Sequence, residues 1–412
     1  MDKVLNKITP MLFGDDLKKE LSHFPYIDRN DVVNKSATER LIMLNDLYYF
    51  YYPTKYSVEI YTKTYLALVR ALQKKQSKLV VPQQYNNYFA LRRQKELNGI
   101  IGGADSFAVL GPSGCGKTSA INRVSEAISQ NKTIETETPK TSIIPVMLVQ
   151  TPYNCSIKSL LNEILRNIDN ELNTTYYQFA IRKNLSIDSL IGQVSNICLN
   201  HLGVLILDEI QNCVHVSKGD YLIRCLTQLI NCSGISIILS GTQEAIYFFE
   251  KQFQMARRML SLLLKPFECD NEFFAFCKKL WEYQYTLNYT EFSIEYCEWL
   301  YNHSGGNPSV IISLFHDAQE LSIISGEEAI SIKKLEEAFQ NRLTSLNGFI
   351  SPKKVKMSKS STTAETFKIE PFTGRIEHNL IKWAVEQSKG DKKALFNLLC
   401  KLKITIEEVK IC

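Results

Sequence analysis

An α/β fold, a mostly parallel sheet flanked by helices, is what this sequence predicts, and two observations predict it. Apolar runs of strand length alternate with amphipathic stretches of helical period between residues 107 and 242, the pattern of strands joined by helical crossovers. The first run, Phe107-Ala108-Val109-Leu110, breaks into Gly111-Pro112-Ser113-Gly114-Cys115-Gly116-Lys117-Thr118 and then into a helix candidate, Ser119 to Ser129. Every fixed position of the phosphate-binding pattern G-x-x-x-x-G-K-[ST] is filled. Glycines let backbone N–H groups curl around phosphate oxygens, Lys117 can reach the terminal phosphates, and the Thr118 hydroxyl can hold Mg²⁺. The helix that follows points its positive dipole end at the anion. Gly111, Ser113, Gly114, Cys115, Gly116, Lys117, Thr118 and Ser119 are therefore the expected contacts to a nucleoside triphosphate.

The 412 residues suffice for about two to four domains. An apolar content of 45% with 22% charged residues is that of an ordinary globular protein. No run of eighteen apolar residues occurs, and no long apolar segment follows Met1, so neither a membrane span nor a signal peptide is expected, and the expected location is cytoplasmic. The eleven cysteines are scattered singly with no C-x-x-C pair, which favours reduced thiols over a disulfide framework or a zinc site. The net charge of +5 is unevenly placed: residues 351–412 hold 12 Lys and 1 Arg against 7 acidic residues, and the rest of the chain 35 basic against 36 acidic. A basic tail of this kind is either solubilising or a contact to nucleic acid or an acidic partner.

Taken in order, residues 1–95 read as a helical, tyrosine-rich extension. Ser36-Ala37-Thr38-Glu39 has capping-box spacing, an apolar stripe runs from Leu41 to Phe50, and Pro53 stops it. Tyr56 to Gln76 is a second helix and Gln84 to Leu97 a third candidate. The cluster Tyr48, Tyr49, Phe50, Tyr51, Tyr52 is expected to pack a small helical core or to dock a partner. Residues 96–265 form the α/β core: strands at Ile143 to Val149, Gly203 to Glu209 and Gly234 to Thr242, with helices at Ile157 to Leu172, Ile187 to His201 and Tyr221 to Asn231. Residues 266–350 are helical throughout, with segments at Asn271 to Tyr283, Ile294 to His303, Pro308 to Ile324 and Ile332 to Leu343, a lid-like bundle. Residues 351–412 begin as a basic linker without apolar period and end in two short helix candidates, Ile376 to Gln387 and Lys393 to Leu402.

A phosphate loop alone binds; hydrolysis needs a metal-side carboxylate, a group that orients water and cations for the developing charge. Asp208 and Glu209, after four consecutive aliphatics, suit the first two tasks: Asp208 for Mg²⁺ and Glu209 for polarising the attacking water. Ser240-Gly241-Thr242 ends the next strand and places a hydroxyl where it can meet the γ-phosphate or the water. Arg257 and Arg258, just before the lid, are candidates for an arginine finger offered to a neighbouring subunit, which would make the active enzyme an oligomer.

The set Gly111 to Thr118, Leu205-Ile206-Leu207-Asp208-Glu209-Ile210-Gln211, Ser240-Gly241-Thr242-Gln243-Glu244-Ala245 and Ala256-Arg257-Arg258 resembles, in order and spacing, the TnsC/TniB family of AAA+ ATPases from DNA transposons, over about residues 35 to 345. The resemblance implies an AAA+ P-loop NTPase with ATP and Mg²⁺ as cofactors. It further implies a nucleoid-associated regulator of transposition that assembles as a homo-oligomeric ring or helical filament on duplex DNA, through the backbone rather than the bases. Such a regulator links a target-selection protein to the transposase. By position, Lys117, Thr118 and Asp208 hold phosphate and metal, Glu209 the water, Thr242 acts as sensor and Arg257 or Arg258 as the finger. Thr151 and Lys158, with Arg182 and Lys183 behind them, fall where the family lines the inside of its assembly, and are the DNA candidates. Many AAA+ lids carry an arginine after a Gly-x-Pro turn; here Gly306-Asn307-Pro308 is followed by Ser309. The competing readings are a replication-initiator or helicase-loader ATPase, and a nucleotide-gated docking module with little turnover.

Overall fold

The computed structural model describes residues 5–75, 106–130, 133–137, 140–153, 155–214, 219–242, 245 and 259–342, all within one compact unit, Met1–Val355. The helix expected at 84–97, the Arg257-Arg258 pair and the whole tail 351–412 lie outside the described residues.

Four α-helices make up the described part of the extension, two of them capped by short polar side chains, Asp28 and Ser36. They are α1 (Gly14–Leu21), α2 (Arg29–Asn34), α3 (Ala37–Met43) and α4 (Lys55–Lys75), and Ser36 with Glu39 forms the expected capping box at α3. The apolar stripe that follows does not continue as α-helix but tightens into a 3₁₀ segment, Leu44–Tyr49. The sheet and its crossovers follow: β1 (Ser106–Leu110), α5 (Lys117–Ser129), β2 (Ile134–Glu137), β3 (Lys140–Gln150), α6 (Ile157–Leu172), α7 (Tyr176–Arg182) and α8 (Ile187–His201). Then come β4 (Leu202–Asp208), the short α9 (Gln211–Val214), α10 (Gly219–Ser233), β5 (Ser236–Gly241) and β6 (Met259–Leu263). The lid consists of α11 (Asn271–Trp281), α12 (Ile294–Ser304), α13 (Pro308–Ser325) and α14 (Ile332–Arg342).

The strand order is β2-β3-β4-β5-β1-β6. All pairs are parallel except β2 with β3. This is the AAA+ P-loop NTPase arrangement, in which the strand leading into the phosphate loop lies between two strands that come later in the chain. Neither β2 nor β6 was foreseen: four residues of mixed polarity give no period, and β6 follows directly on the arginine pair. Among the described residues β2 pairs with β3 only as far as Ile143, so Pro145, which has no N–H to give, lies past the end of that described ladder.

Because successive side chains of a strand point to opposite faces, Leu205 and Leu207 join one core with α6, α8 and α10, while Val204 and Ile206 join another with α1, α4 and α5. A third core fills the lid, with Trp281, Phe315 and Tyr285 fully buried. Each such large side chain contributes about 1.5–3 kcal/mol by leaving water.

The described part of the extension, residues 5–75, is divided between two cores. Leu17 and Leu21 of α1, with Ile60, Tyr61, Leu68 and Leu72 of α4, pack on the sheet, and Arg123 of α5 donates to the carbonyls of Glu20, Leu21 and Ser22 at 2.9–3.0 Å. Val32, Leu44, Leu47 and Phe50 pack instead in the lid core. There Arg40, 2% exposed, grips Glu328 through two bonds of 2.6 and 2.7 Å and donates to the Tyr285 carbonyl, and Arg29 donates to the carbonyls of Gln284 and Leu287. The chain crosses between the two attachments at a single antiparallel bridge, His23 with Tyr51.

Candidate nucleotide site

β1, β4 and β5 end together, and the candidate residues stand at those ends. Past Leu110 the backbone turns, with Gly111 donating to the Gly241 carbonyl at 3.3 Å. Gly114 and Gly116 both sit at φ +81°, a region that residues with a Cβ disfavour. Gly116 caps α5 without a side chain, so the first N–H groups of that helix are left for an anion. Lys117, 7% exposed, folds back on the loop and donates to the carbonyls of Gly111 (2.9 Å) and Pro112 (2.8 Å). Burial pulls its ammonium below the usual lysine range, while Cys115, Glu209 and Asp208 pull the other way. The Cys115 thiol is pushed up to about 11 by burial, against the pull of Lys117.

Thr118 Oγ1 donates to Asp208 Oδ2 at 2.7 Å. Asp208 is 1% exposed and its Oδ1 accepts from the Glu209 N–H at 3.0 Å. A hydroxyl touching a carboxylate is the hard-oxygen donor pair that Mg²⁺ takes. Glu209 lies just past the strand at φ +55°, and Thr242 follows β5. The Thr242 hydroxyl is buried with no hydrogen-bond partner among the described residues, an arrangement that costs about 1–3 kcal/mol unless a ligand or water completes it. The loop, the Thr118–Asp208 pair and this hydroxyl together fit a magnesium nucleotide.

The lid closes over the loop. Asn307, the N-cap of α13, donates through Nδ2 to the Ser113 carbonyl at 3.0 Å, and the Ser309 N–H meets the Gly114 carbonyl at 3.3 Å. Ser309 thus touches the phosphate loop through its backbone. Between loop and lid lies a cleft of 170 Å³ whose third wall is the segment from Tyr48 to Thr54, with Ser119, Pro308 and Ile312 among the other lining residues. This role for the tyrosines was not read from the sequence, because their spacing suits core packing equally well. Tyr51 is one of them; its hydroxyl bonds Ser57 at 2.6 Å and burial pushes it up to about 12.

The DNA candidates separate. Thr151 is 2% exposed; its N–H donates to the Asp208 carbonyl at 3.0 Å and its carbonyl accepts from Asn212 Nδ2 at 2.9 Å. It belongs beside the ends of β3 and β4 and offers little surface to a DNA backbone, because the end of β3 is covered by the turn after β4. Lys158 donates to Asn184 at 3.1 Å, which brings it to the C-terminal end of α7, where Arg182 and Lys183 are exposed. Tyr153, 83% exposed, stands in the loop before α6.

The family model of bacterial TniB protein matches residues 102–269. No curated protein matches the chain. Among solved structures, the Aeropyrum pernix ORC1 protein in complex with DNA is 12% identical with a TM-score of 0.41, covering 81% of this chain and 80% of that one. Cdc6p from Pyrobaculum aerophilum is 11% identical at 0.42, covering 81% and 83%. Domain III of the Thermotoga maritima replication initiation protein DnaA is 14% identical at 0.38, covering 67% and 94%. At TM-scores of 0.38 to 0.42 these likenesses carry no argument. Among the described residues no helix is long and apolar enough to cross a membrane. The chain has the AAA+ P-loop NTPase fold, and within it residues 102–269 match the family model of bacterial TniB protein.

Proposed function

We propose that this chain is an ATP-hydrolysing AAA+ regulator that works on duplex DNA. The observation that carries the reading is the meeting of Thr118, Asp208, Glu209 and Thr242 at one end of the sheet, over an uncapped helix N-terminus. Phosphoryl transfer to water is mostly positioning and charge stabilisation. Bound MgATP would supply the anhydride and the cation that screens its charge. The loop amides and Lys117, released from its two carbonyls, hold the phosphates; Thr118 and Asp208 hold the metal; Glu209 polarises the water and Thr242 orients it. The tyrosine wall and α13 face each other across the space for the base. Arg257 or Arg258 serves a neighbour's nucleotide, which makes the working form a ring or helical filament. Lys158, Arg182 and Lys183 contact DNA phosphates.

The narrower role, regulating transposition by linking a target-selection protein to the transposase, is supported by the match of residues 102–269 to bacterial TniB and by the motifs that carry the resemblance. A replication-initiator or helicase-loader role is the alternative within the same fold. DNA affinity separates the two. A regulator that reads only the backbone binds unrelated duplexes alike and weakens steeply with salt, whereas an initiator prefers one sequence.

The direct test is sedimentation of the full chain with ATP, Mg²⁺ and duplex DNA at low salt, beside binding of a fluorescent ATP analogue. Large nucleotide-dependent assemblies are expected, and Lys117→Ala is expected to lose both assembly and analogue binding. A monomer under all conditions overturns the oligomeric reading. Tight binding without turnover points to the docking module.

A further inference from the structure

Gln211 is part of the motif that marks the resemblance, yet none of the roles above uses it. It stands two residues past Glu209, in the first turn of α9, and its amide joins the two strand ends on which hydrolysis depends. Nε2 donates to Glu209 Oε2, and Oε1 accepts from the backbone N–H of Thr242 at 3.3 Å. Residue 241 leaves the room for this: a Cβ on Gly241 would come within 2.7 Å of Gln211 Oε1 and 3.0 Å of Ile210 Cγ2. The backbone around Glu209 is fixed, with its N–H on Asp208 Oδ1 at 3.0 Å, the Ile210 N–H on the Ser240 carbonyl and the Asn212 N–H on the Glu209 carbonyl, both at 3.0 Å. That leaves only the Glu209 side chain to be aimed. A primary amide donates at one atom and accepts at another, so it can span from a carboxylate to a main-chain N–H. Asparagine, one methylene shorter, would not reach both.

We propose that Gln211 is a positioning residue that aims the Glu209 carboxylate at the attacking water from the sensor end of β5. The proposal rests on the ATPase reading above. Gly241 belongs to the same device, because it keeps the path of the amide open.

The test is steady-state turnover of the full chain with MgATP and duplex DNA, beside binding of a fluorescent ATP analogue and thermal unfolding. Gln211→Ala is expected to lower kcat about 10–100-fold, as a small misplacement of a reacting group does, with analogue affinity within about twofold of wild type. Gly241→Ala is expected to give the same split, and the double variant to be no slower than the slower single one, since both remove one interaction. Gln211→Glu is expected to regain rate as pH falls, because the new carboxyl, once protonated, again donates to Glu209. Should Gln211→Ala misfold, the Gly241→Ala split and the pH profile decide. A wild type that turns over while Gln211→Ala keeps or raises its kcat, or effects at 211 and 241 that multiply, overturns the proposal and leaves the ATPase reading standing. A wild type that binds nucleotide on DNA without turnover overturns both.

Discussion

The two sides of the candidate pocket are built on opposite plans. The side where water would attack is made of strand ends: Asp208 ends β4 and Thr242 follows directly on β5, strands whose registers are fixed by a buried parallel sheet. The side where the base would sit draws on residues from four distant stretches, 48–57, 114–120, 264–276 and 308–313. Part of that wall belongs to a segment attached to the lid through Arg40 and Glu328, and part to one attached to the sheet through α4. A rigid sheet suits chemistry that fails on small displacements. A wall shared between lid and core suits a pocket that must open and shut, since the segment that forms it runs from one attachment to the other beside the bridge of His23 and Tyr51.

The contrast can be broken from either side. The largest effect is expected at the strand ends: Glu209→Gln should slow turnover about 10²–10⁴-fold with nucleotide binding retained, read as kcat against analogue affinity. A matching loss of affinity would mean that the two sides are not separate. On the lid side, Arg40→Ala leaves the partly buried Glu328 carboxylate without its cation, only the Leu287 N–H still donating to it, and should cost about 1–3 kcal/mol of stability, measured by denaturant unfolding.

Smaller is Asn307→Ala, which removes both the cap of α13 and its bond to Ser113. A cap loss of about 1 kcal/mol is expected, together with faster release of the ATP analogue in stopped flow. Unchanged release would remove the lid from the pocket's gating. The smallest is a pH effect. Hydrogen bonding from Arg40 holds the Glu328 carboxyl below its ordinary value, against partial burial. The stability it brings is therefore present above the unfolded value near 4.5 and is lost as pH falls through the lower folded value. Wild type and Arg40→Ala should accordingly converge in unfolding midpoint as the pH is taken progressively below 4.5.

Legibility follows the same division. The phosphate loop, the strand with Asp208 and Glu209 and the strand end at Thr242 were readable because each is a local pattern: an apolar run, a break, a polar residue in register. β2 and α7 were not readable, being four and seven residues long and held by neighbours rather than by a period of their own. The Leu44–Tyr49 turn was read as helix because 3.0 and 3.6 residues per turn leave nearly the same stripe over six positions. Thr151 looked like a loop residue open to DNA, and only the pairing of β3 with β4 reveals that it is buried.

By itself, then, the sequence determined the fold class, the phosphate loop and the carboxylates that face it, since these depend on residues near one another in the chain and on the alternation that a buried parallel sheet demands. Tertiary structure alone decided that the tyrosine segment lines the cleft, that the extension is divided between core and lid, that Ser309 meets the loop through its backbone, and that Gln211 ties Glu209 to Thr242. Each of those depends on contacts between segments whose spacing along the chain carries no trace of their meeting, because side-chain packing and lid placement are set by the whole fold at once.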